Sequence, residues 1–174
     1  VTGDAKKIEK IIFTGKNDAG NILPEGKYKA FISAMYVNGH NPKTETPSFV
    51  LDITPPAAEV SAPEKIFSPD GDGKLDSLVF MQKQTAEGKW TAEIYKATNG
   101  NKIIGTPIYK AEFGSTLPPK FEWQGRTSEG NFAEDGKYAY ILRGTDDAGN
   151  AVQTNAVIVE LNTEKADIIF QSNY

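Results

Sequence analysis

Two stretches of the chain follow one pattern, and this pattern decides the fold. "IIFTGKNDAGNILPEGKYKAFI" (11–32) and "FEWQGRTSEGNFAEDGKYAYIL" (121–142) align without gaps. Gly15 matches Gly125 at an offset of 125 − 15 = 110 residues, and a Gly-Lys-Tyr triplet recurs at the same offset. A repeat of this period indicates two copies of one unit with about the size of a β-sandwich domain.

A second pair of stretches extends the repeat at a slightly different spacing. "SFVLDI" (48–53) aligns with "AVIVEL" (156–161), an offset of 161 − 53 = 108 residues. This alignment predicts that the loop before this strand differs in length by two residues between the copies.

The two copies are unequal in length. Residues 1–54 are predicted to be the C-terminal half of a first unit, because nothing upstream matches residues 57–110. Residues 55–163 are predicted to form a complete second unit, and residues 164–174 a tail or the start of a further unit. We therefore expect the chain to be part of a longer protein. We also expect residues 1–54 to pack as an incomplete sandwich or to exchange strands with another chain.

Alternation of apolar and polar residues predicts strands along the whole chain. In "KYAYILR" (137–143), for example, Tyr138, Tyr140 and Leu142 share one face. Such runs are short and end at Gly, Asn, Asp or Pro, and no segment of about twelve residues keeps a helical apolar stripe. The predicted fold class is therefore all-β.

Composition excludes several classes of function. The net charge is −4 and there is no basic run, so nucleic acid is not expected as a partner. No apolar stretch is long enough for direct membrane insertion. The absence of cysteine excludes disulfides and thiol nucleophiles. The single histidine, His40, lies in the polar stretch "VNGHNPKTE" and is predicted to be an exposed loop residue without a catalytic role.

The stretch "FSPDGDGKLD" (67–76) contains three closely spaced carboxylates, Asp70, Asp72 and Asp76. Calcium takes six to eight oxygen ligands from carboxylates, carbonyls and water. The three aspartates are therefore candidate metal ligands of a structural Ca²⁺ site. The site is not an EF-hand, because Lys74 stands where the next carboxylate is expected.

Turn formation is the alternative interpretation of the same stretch. Aspartate side chains accept hydrogen bonds from backbone amides two residues later, and glycines allow positive φ. In this interpretation Phe67, Leu75 and Leu78 anchor the loop against the sandwich. In the calcium interpretation the site is completed either by carbonyl oxygens or by a carboxylate from a neighbouring loop, such as Asp146 or Asp147.

The residues around Trp123 resemble a known family. Trp123, Gly125, Gly130, Gly136 and Tyr138 fit the pattern of the immunoglobulin-like domain of flagellar hook-capping proteins. The opening "FSPDGDGKLD" is similar to that of bacterial surface repeats, including C-terminal domains of gliding-motility-associated proteins. The resemblance implies tandem immunoglobulin-like β-sandwiches, the first one incomplete. It also implies an extracytoplasmic location in a bacterium, in the periplasm or at the cell surface.

Three functions are compatible with these patterns. We favour a non-catalytic module that acts as a structural spacer, assembly or adhesion element and contacts other domains or chains of the cell envelope. A carbohydrate-binding accessory module is the alternative, and it requires that Trp90 or Trp123 be exposed as a stacking platform. An enzyme with paired carboxylates is the least favoured, because the acidic residues lie in turns and on polar strand faces. We therefore predict that the chain is not an enzyme.

Overall fold

The computed structural model describes residues 10–85 and 88–164, and their regular structure consists of strands only. The predicted all-β fold class is confirmed. The chain divides into two compact units, unit 1 up to Thr54 and unit 2 from Pro55. All but the first residue of the predicted tail, residues 165–174, lie outside the described residues. No helix long and apolar enough to cross a membrane is present in the described part of the chain.

Unit 2 is a sandwich of two sheets. In spatial order, the smaller sheet contains β10 (Lys120–Trp123), β7 (Leu78–Gln84) and β5 (Ala58–Ser61). The larger sheet contains β6 (Ile66–Phe67), β13 (Val157–Leu161), β11 (Gly136–Asp146), β8 (Gly88–Ala97) and β9 (Ile103–Phe113), with β12 (Ala151–Gln153) paired to the end of β11. This order places A, B and E strands opposite C, F and G strands, which is the arrangement of an immunoglobulin-like sandwich.

Aromatic rings from both sheets fill the core of unit 2. Phe80 of β7 stacks on Tyr140 of β11 with ring centroids 4.0 Å apart. Trp123 of β10 meets Tyr138 of β11 edge to face, with centroids 5.0 Å apart. The predicted alternation along β11 is confirmed, because Tyr138, Tyr140 and Leu142 all belong to the core between the sheets. Aromatic pairs of this kind stabilise a core beyond the area that they bury.

A tyrosine corner lies at the start of the F strand in unit 2 and at the counterpart position of unit 1. The Tyr138 hydroxyl donates a hydrogen bond to the carbonyl oxygen of Glu134 at 2.5 Å. The Tyr28 hydroxyl donates to the carbonyl oxygen of Pro24 at 2.6 Å. Burial, followed by the nearby carboxylates, raises the pKa of Tyr138 to about 12. The hydroxyl therefore stays protonated, and the corner that it forms is a feature of immunoglobulin-like folds.

Unit 1 repeats the F and G strands of unit 2. Its strands form two antiparallel pairs, β1 (Gly26–Tyr28) with β4 (Phe49–Leu51) and β2 (Phe31–Ser33) with β3 (Lys43–Glu45). In unit 1, Gly26 lies opposite Leu51, and the counterpart glycine of unit 2 lies opposite Leu161. The offset between the two leucines is 161 − 51 = 110 residues, the same as that of the repeat.

The predicted two-residue difference between the loops is therefore wrong. Leu51, and not Ile53, occupies the position of Leu161. The reason is the period of a strand: a shift of two residues keeps every side chain on its own face, so an alternating pattern fits both offsets equally well. Only the backbone pairing between the strands distinguishes the two offsets.

Gly15 and Gly125 occupy positions where the fold requires glycine. Their φ angles are +72° and +69°. A Cβ atom on Gly125 would lie 2.9 Å from Leu161 Cδ1 and 3.0 Å from Pro69 Cγ. A Cβ atom on Gly15 would lie 3.1 Å from Leu51 Cδ1. A side chain at either position would therefore be strained by the positive φ angle and crowded by its neighbours.

The two units differ most in burial. Phe13 is 48 % exposed, whereas its counterpart Trp123 is 1 % exposed. In unit 2 the edge of β11 is covered along its length by β8. Among the described strands of unit 1, none pairs with the corresponding edge of β1 or β2. The assignment of residues 1–54 as one half of a longer native unit stays a prediction.

Candidate metal site in the acidic loop

The acidic loop (68–77) connects β6 to β7 and is anchored in the core at both ends. Phe67 and Leu78, which flank it, are buried as predicted. Leu75 is 52 % exposed, so its predicted role as an anchor is wrong. Its backbone has φ +52°, a left-handed conformation that non-glycine residues seldom adopt. The Ser68 amide donates to the Leu75 carbonyl oxygen at 2.9 Å and closes the loop across this turn.

The carboxylates of the loop bind its own backbone. Asp76 accepts a hydrogen bond from the Gly71 amide at 2.7 Å through one oxygen. It accepts another from the Gly73 amide at 2.8 Å through the other oxygen. Asp72 accepts a hydrogen bond from the Lys74 amide at 2.8 Å. The Asp72 bond is the kind that the turn interpretation predicts, whereas the Asp76 bonds come from amides that precede Asp76 in the chain. All three bonds stabilise the loop without an ion.

The same geometry brings the predicted metal ligands together. One carboxylate oxygen from each of Asp70, Asp72 and Asp76 lies within 4.8 Å of the others. Since Ca²⁺–O distances are about 2.3–2.6 Å, oxygens on one ion lie at most about 5 Å apart, so the spacing fits. Asp146 and Asp147 are not part of this group, and the expectation that they complete it is wrong. Calcium binding itself stays a prediction.

Glu122 of β10 is a residue near the loop that the sequence did not indicate. The Ser77 hydroxyl donates a hydrogen bond to Glu122 Oε1 at 2.5 Å. With Asp76, Arg126 and Phe132, these two residues line an open depression of about 280 Å³. Only the antiparallel pairing of β10 with β7 brings Glu122 to the loop, so no local sequence signal could have found it.

Asp76→Ala is expected to destabilise unit 2 by about 1–2 kcal/mol, because it removes two charge-assisted hydrogen bonds to the backbone. Asp72→Ala removes one such bond and is expected to cost less. Urea denaturation in the presence of a chelator measures both losses without any contribution from metal. Asp147→Ala, an exposed aspartate outside the loop, is the matched control and is expected to have no measurable effect. Equal losses of unfolding free energy for Asp76→Ala and Asp72→Ala would contradict the hydrogen bonds seen in the loop.

A buried carboxylate lies on the outer face of the larger sheet. Glu93 accepts hydrogen bonds from Arg143 Nε at 2.9 Å and from the Tyr95 hydroxyl at 2.6 Å. Lys110 Nζ lies 3.1 Å from its other oxygen. Burial alone would raise the pKa of Glu93, but the hydrogen bonds from Tyr95, Arg143 and Lys110 outweigh burial and lower the pKa to about 2. Such a carboxylate is a structural ion-pair partner and not a proton donor.

Glu93→Gln is expected to destabilise unit 2 by about 1–3 kcal/mol at neutral pH. Because the folded-state pKa is about 2 and the usual value is 4.5, the carboxylate stabilises the fold above about pH 4.5. Its contribution is lost as the pH falls towards 2. Urea denaturation at a series of pH values should show that the free energies of unfolding of the natural chain and of the Glu93→Gln variant converge at low pH. Glu134→Gln, at an exposed ion pair with Lys96, is the control. A destabilisation by Glu93→Gln that is constant with pH would contradict the assignment of Glu93 as an ion-pair partner with a lowered pKa.

Both tryptophans are buried in the core of unit 2. Trp90 and Trp123 belong to the largest fully buried side chains, and the Trp123 indole donates to the Arg126 carbonyl oxygen at 2.8 Å. Neither ring can stack on a sugar, so the carbohydrate-binding alternative in its tryptophan-based form is wrong. His40 is exposed as predicted, with its ring centroid 5.8 Å from that of Tyr36.

Comparison with known proteins identifies similar solved structures. The dimeric latent PorU of Porphyromonas gingivalis is 16 % identical with a TM-score of 0.44, over 82 % of this chain and 13 % of that chain. The CbhA fibronectin(III)-like modules of Clostridium thermocellum are 14 % identical with a TM-score of 0.40, over 89 % of this chain and 70 % of that chain. No protein-family profile and no curated protein matches the chain. The immunoglobulin-like assignment rests on the strand order of unit 2.

Proposed function

We propose that the chain is a non-catalytic immunoglobulin-like module of a bacterial cell-surface or periplasmic protein. It acts as a structural spacer, assembly or adhesion element. The observation that supports this most directly is the repeated F and G strand pair, built in the same register in both units. Repeated small β-units extend a protein or connect its parts, and their loops need no catalytic group. The sequence resemblance to hook-capping and gliding-motility-associated domains supports the extracytoplasmic location.

The carboxylates of the described residues support a non-catalytic role. Among them, every carboxyl group with a shifted pKa has it shifted downward, and these groups are Glu25, Glu93, Glu134 and Asp146. A general acid at neutral pH needs a raised pKa, which burial in an apolar site provides. The four groups instead accept hydrogen bonds from neighbouring side chains or from the backbone.

The partners that we propose are other domains or chains of the cell envelope. The strand edges that are unpaired in the described part of unit 1 can accept a further strand, and the mildly acidic net charge does not favour nucleic acid. The cofactor that we propose is a structural Ca²⁺ ion at Asp70, Asp72 and Asp76, where it would stiffen the acidic loop.

Cell fractionation tests the proposed location. Antibodies against unit 2, applied to fractions of the bacterium that encodes the chain, are expected to detect it in the envelope. In intact or outer-membrane-permeabilised cells it should be degraded by added protease. Recovery in the cytoplasmic fraction with full protection from protease would overturn the proposed location.

Exchange of unit 2 for an unrelated immunoglobulin-like domain distinguishes the spacer role from the adhesion role. A spacer tolerates the exchange, whereas an adhesive surface does not.

Calcium titration by calorimetry tests the proposed cofactor. We expect heat on titration and an increase in the thermal midpoint of unit 2 that a chelator reverses. Asp72→Ala is expected to abolish both signals, and Asp147→Ala to leave them unchanged. If the unaltered chain gives neither heat nor a thermal shift, the loop is a hydrogen-bonded turn only.

A further inference from the structure

Glycine follows asparagine or aspartate at five places in the chain. The five pairs are Asn38–Gly39, Asp70–Gly71, Asp72–Gly73, Asn99–Gly100 and Asp135–Gly136. Because glycine has no Cβ atom, its backbone nitrogen can attack the side-chain carbonyl carbon of the preceding residue with little hindrance. The attack closes a five-membered succinimide ring. It requires that the side chain and the glycine amide are both free to approach each other.

In four of the five pairs, hydrogen bonds hold the side chain of the first residue. Asn38 Oδ1 accepts a hydrogen bond from the His40 amide at 3.1 Å. The Asp135 carboxylate accepts hydrogen bonds from the amide and from the hydroxyl of Thr163, both at 2.9 Å. In the acidic loop, each aspartate that precedes a glycine accepts a bond from the amide two residues later. These bonds direct the side chain towards a group other than its own glycine.

The backbone of the glycine in the same four pairs is also held. The Gly39 amide donates to the Tyr36 carbonyl oxygen at 2.9 Å. The two glycine amides of the acidic loop donate to Asp76 at 2.7 and 2.8 Å. Gly136 lies opposite Leu161 in the ladder between β11 and β13. A glycine held in this way cannot turn towards the preceding side chain until the local structure opens.

The exception is Asn99–Gly100, in the hairpin turn (98–102) between β8 and β9. The turn is closed by hydrogen bonds of 2.8 Å from the Asn101 amide to the Thr98 carbonyl oxygen and from the Thr98 amide to the Lys102 carbonyl oxygen. Asn99 and Gly100 are both exposed. Within the described residues, neither the Asn99 carboxamide nor the Gly100 amide has a hydrogen-bond partner. The two reacting groups are therefore free while the turn itself is formed.

A cation contacts the peptide bond between these two residues. Lys137 Nζ donates hydrogen bonds to the Asn99 carbonyl oxygen at 3.2 Å and to Asn101 Oδ1 at 3.3 Å. This carbonyl oxygen belongs to the same peptide group as the Gly100 nitrogen. When the nitrogen loses its proton, resonance places part of the negative charge on the oxygen, where the ammonium group stabilises it. Lys137 therefore favours the form of the nitrogen that attacks.

We propose that Asn99 is a site of spontaneous deamidation and that Lys137 activates it. The Gly100 nitrogen transfers its proton to water and bonds to Asn99 Cγ. The bond between Cγ and the carboxamide nitrogen breaks, and ammonia leaves. Water then opens the succinimide at either of its two carbonyl carbons. The products are an aspartate with the ordinary backbone linkage and an isoaspartate with an additional methylene group in the backbone, and both add one negative charge to the turn beside Lys137.

Peptide mass spectrometry of the full chain after incubation at neutral pH tests the site. Asn38 is the matched control in the same sample, because it also precedes glycine and is also exposed. We expect deamidation to be at least about tenfold faster at Asn99, since reaction at Asn38 requires the loss of two hydrogen bonds. In urea-denatured chain these hydrogen bonds are absent, so the two rates are expected to become similar.

Variants at two positions test the mechanism. Lys137→Gln removes the cation and is expected to slow deamidation of Asn99 by about threefold, whereas Lys137→Arg restores the rate. Gly100→Ala adds a Cβ atom whose nearest neighbour is Thr98 Oγ1 at 3.7 Å, so it fits the turn. It is expected to slow the reaction strongly, because the Cβ atom hinders the attack, and to leave the thermal midpoint of unit 2 unchanged.

Three results would overturn the proposal. Equal rates at Asn99 and Asn38 in the folded chain would show that the hydrogen bonds do not select the site. An Asn99 that is modified in denatured chain but not in folded chain would show that the folded turn protects it. An unchanged rate in Lys137→Gln would overturn the activating role of Lys137. None of these measurements depends on the envelope location, which fractionation tests separately.

Discussion

Trp123→Ala is expected to destabilise unit 2 by about 3–5 kcal/mol, whereas Phe13→Ala at the counterpart position of unit 1 is expected to cost less than about 1 kcal/mol. Trp123 is fully buried, with its ring centroid 5.3 Å from that of Phe67 and 5.0 Å from that of Tyr138. Its truncation leaves a large cavity and removes the hydrogen bond to the Arg126 carbonyl oxygen. Phe13 is about half exposed, so its truncation removes little buried area.

Urea denaturation followed by the fluorescence of Trp90 measures the loss in unit 2, and amide exchange in unit 1 measures the effect of Phe13→Ala. Trp123→Phe is the graded control, because it keeps an aromatic ring and is expected to lose about half as much. A cost for Phe13→Ala as large as that for Trp123→Ala would show that the Phe13 side chain is buried in the natural chain. It would thereby contradict the 48 % exposure of this side chain.

Gly144→Val is expected to destabilise unit 2 by at least about 3 kcal/mol, or to prevent its folding. Gly144 lies opposite Trp90 in the pairing of β11 with β8. A Cβ atom at this position would lie 2.4–2.7 Å from three atoms of the Trp90 ring, and the ring is buried on all sides. Neither strand can withdraw without breaking its ladder of hydrogen bonds, so the clash has no inexpensive relief.

The matched control is Ala34→Val at the counterpart position of unit 1, where no described strand lies opposite. It is expected to change stability by less than about 1 kcal/mol. A double variant, Gly144→Ala with Trp90→Leu, tests the contact itself by thermal unfolding. The smaller side chain should relieve part of the clash, so the two losses should be less than additive. Additive losses would show that the ring of Trp90 does not limit the space at Gly144.

Much of the fold could be predicted because its signals are local. Alternation along β11 predicts which of its residues face the core, and this needs only the two-residue period of a strand. Gly125 and Tyr138 recur in both copies because each has a specific backbone task, a close approach in one case and a corner hydrogen bond in the other. Such backbone requirements determine which residue type occurs at a position, so they can be recognised in the sequence.

The candidate site was less predictable because it depends on residues distant in the chain. The three aspartates are visible in the sequence, but Glu122 reaches their loop only through strand pairing. Leu75 is apolar and was expected to be buried, yet the turn that the aspartates stabilise leaves it exposed. Asp146 was expected near the loop, and instead it accepts hydrogen bonds in its own turn.

The sequence by itself determined that the chain is all-β, that one unit recurs at an offset of 110 residues, and that tight turns occur at its glycines and aspartates. The tertiary structure alone decided the register of the second strand pair, the burial of Trp90 and the low pKa of Glu93. The physical reason is that turn and strand preferences are set by neighbours along the chain. Register, burial and the electrostatic surroundings of a carboxylate are set by strands that meet only when the sandwich closes.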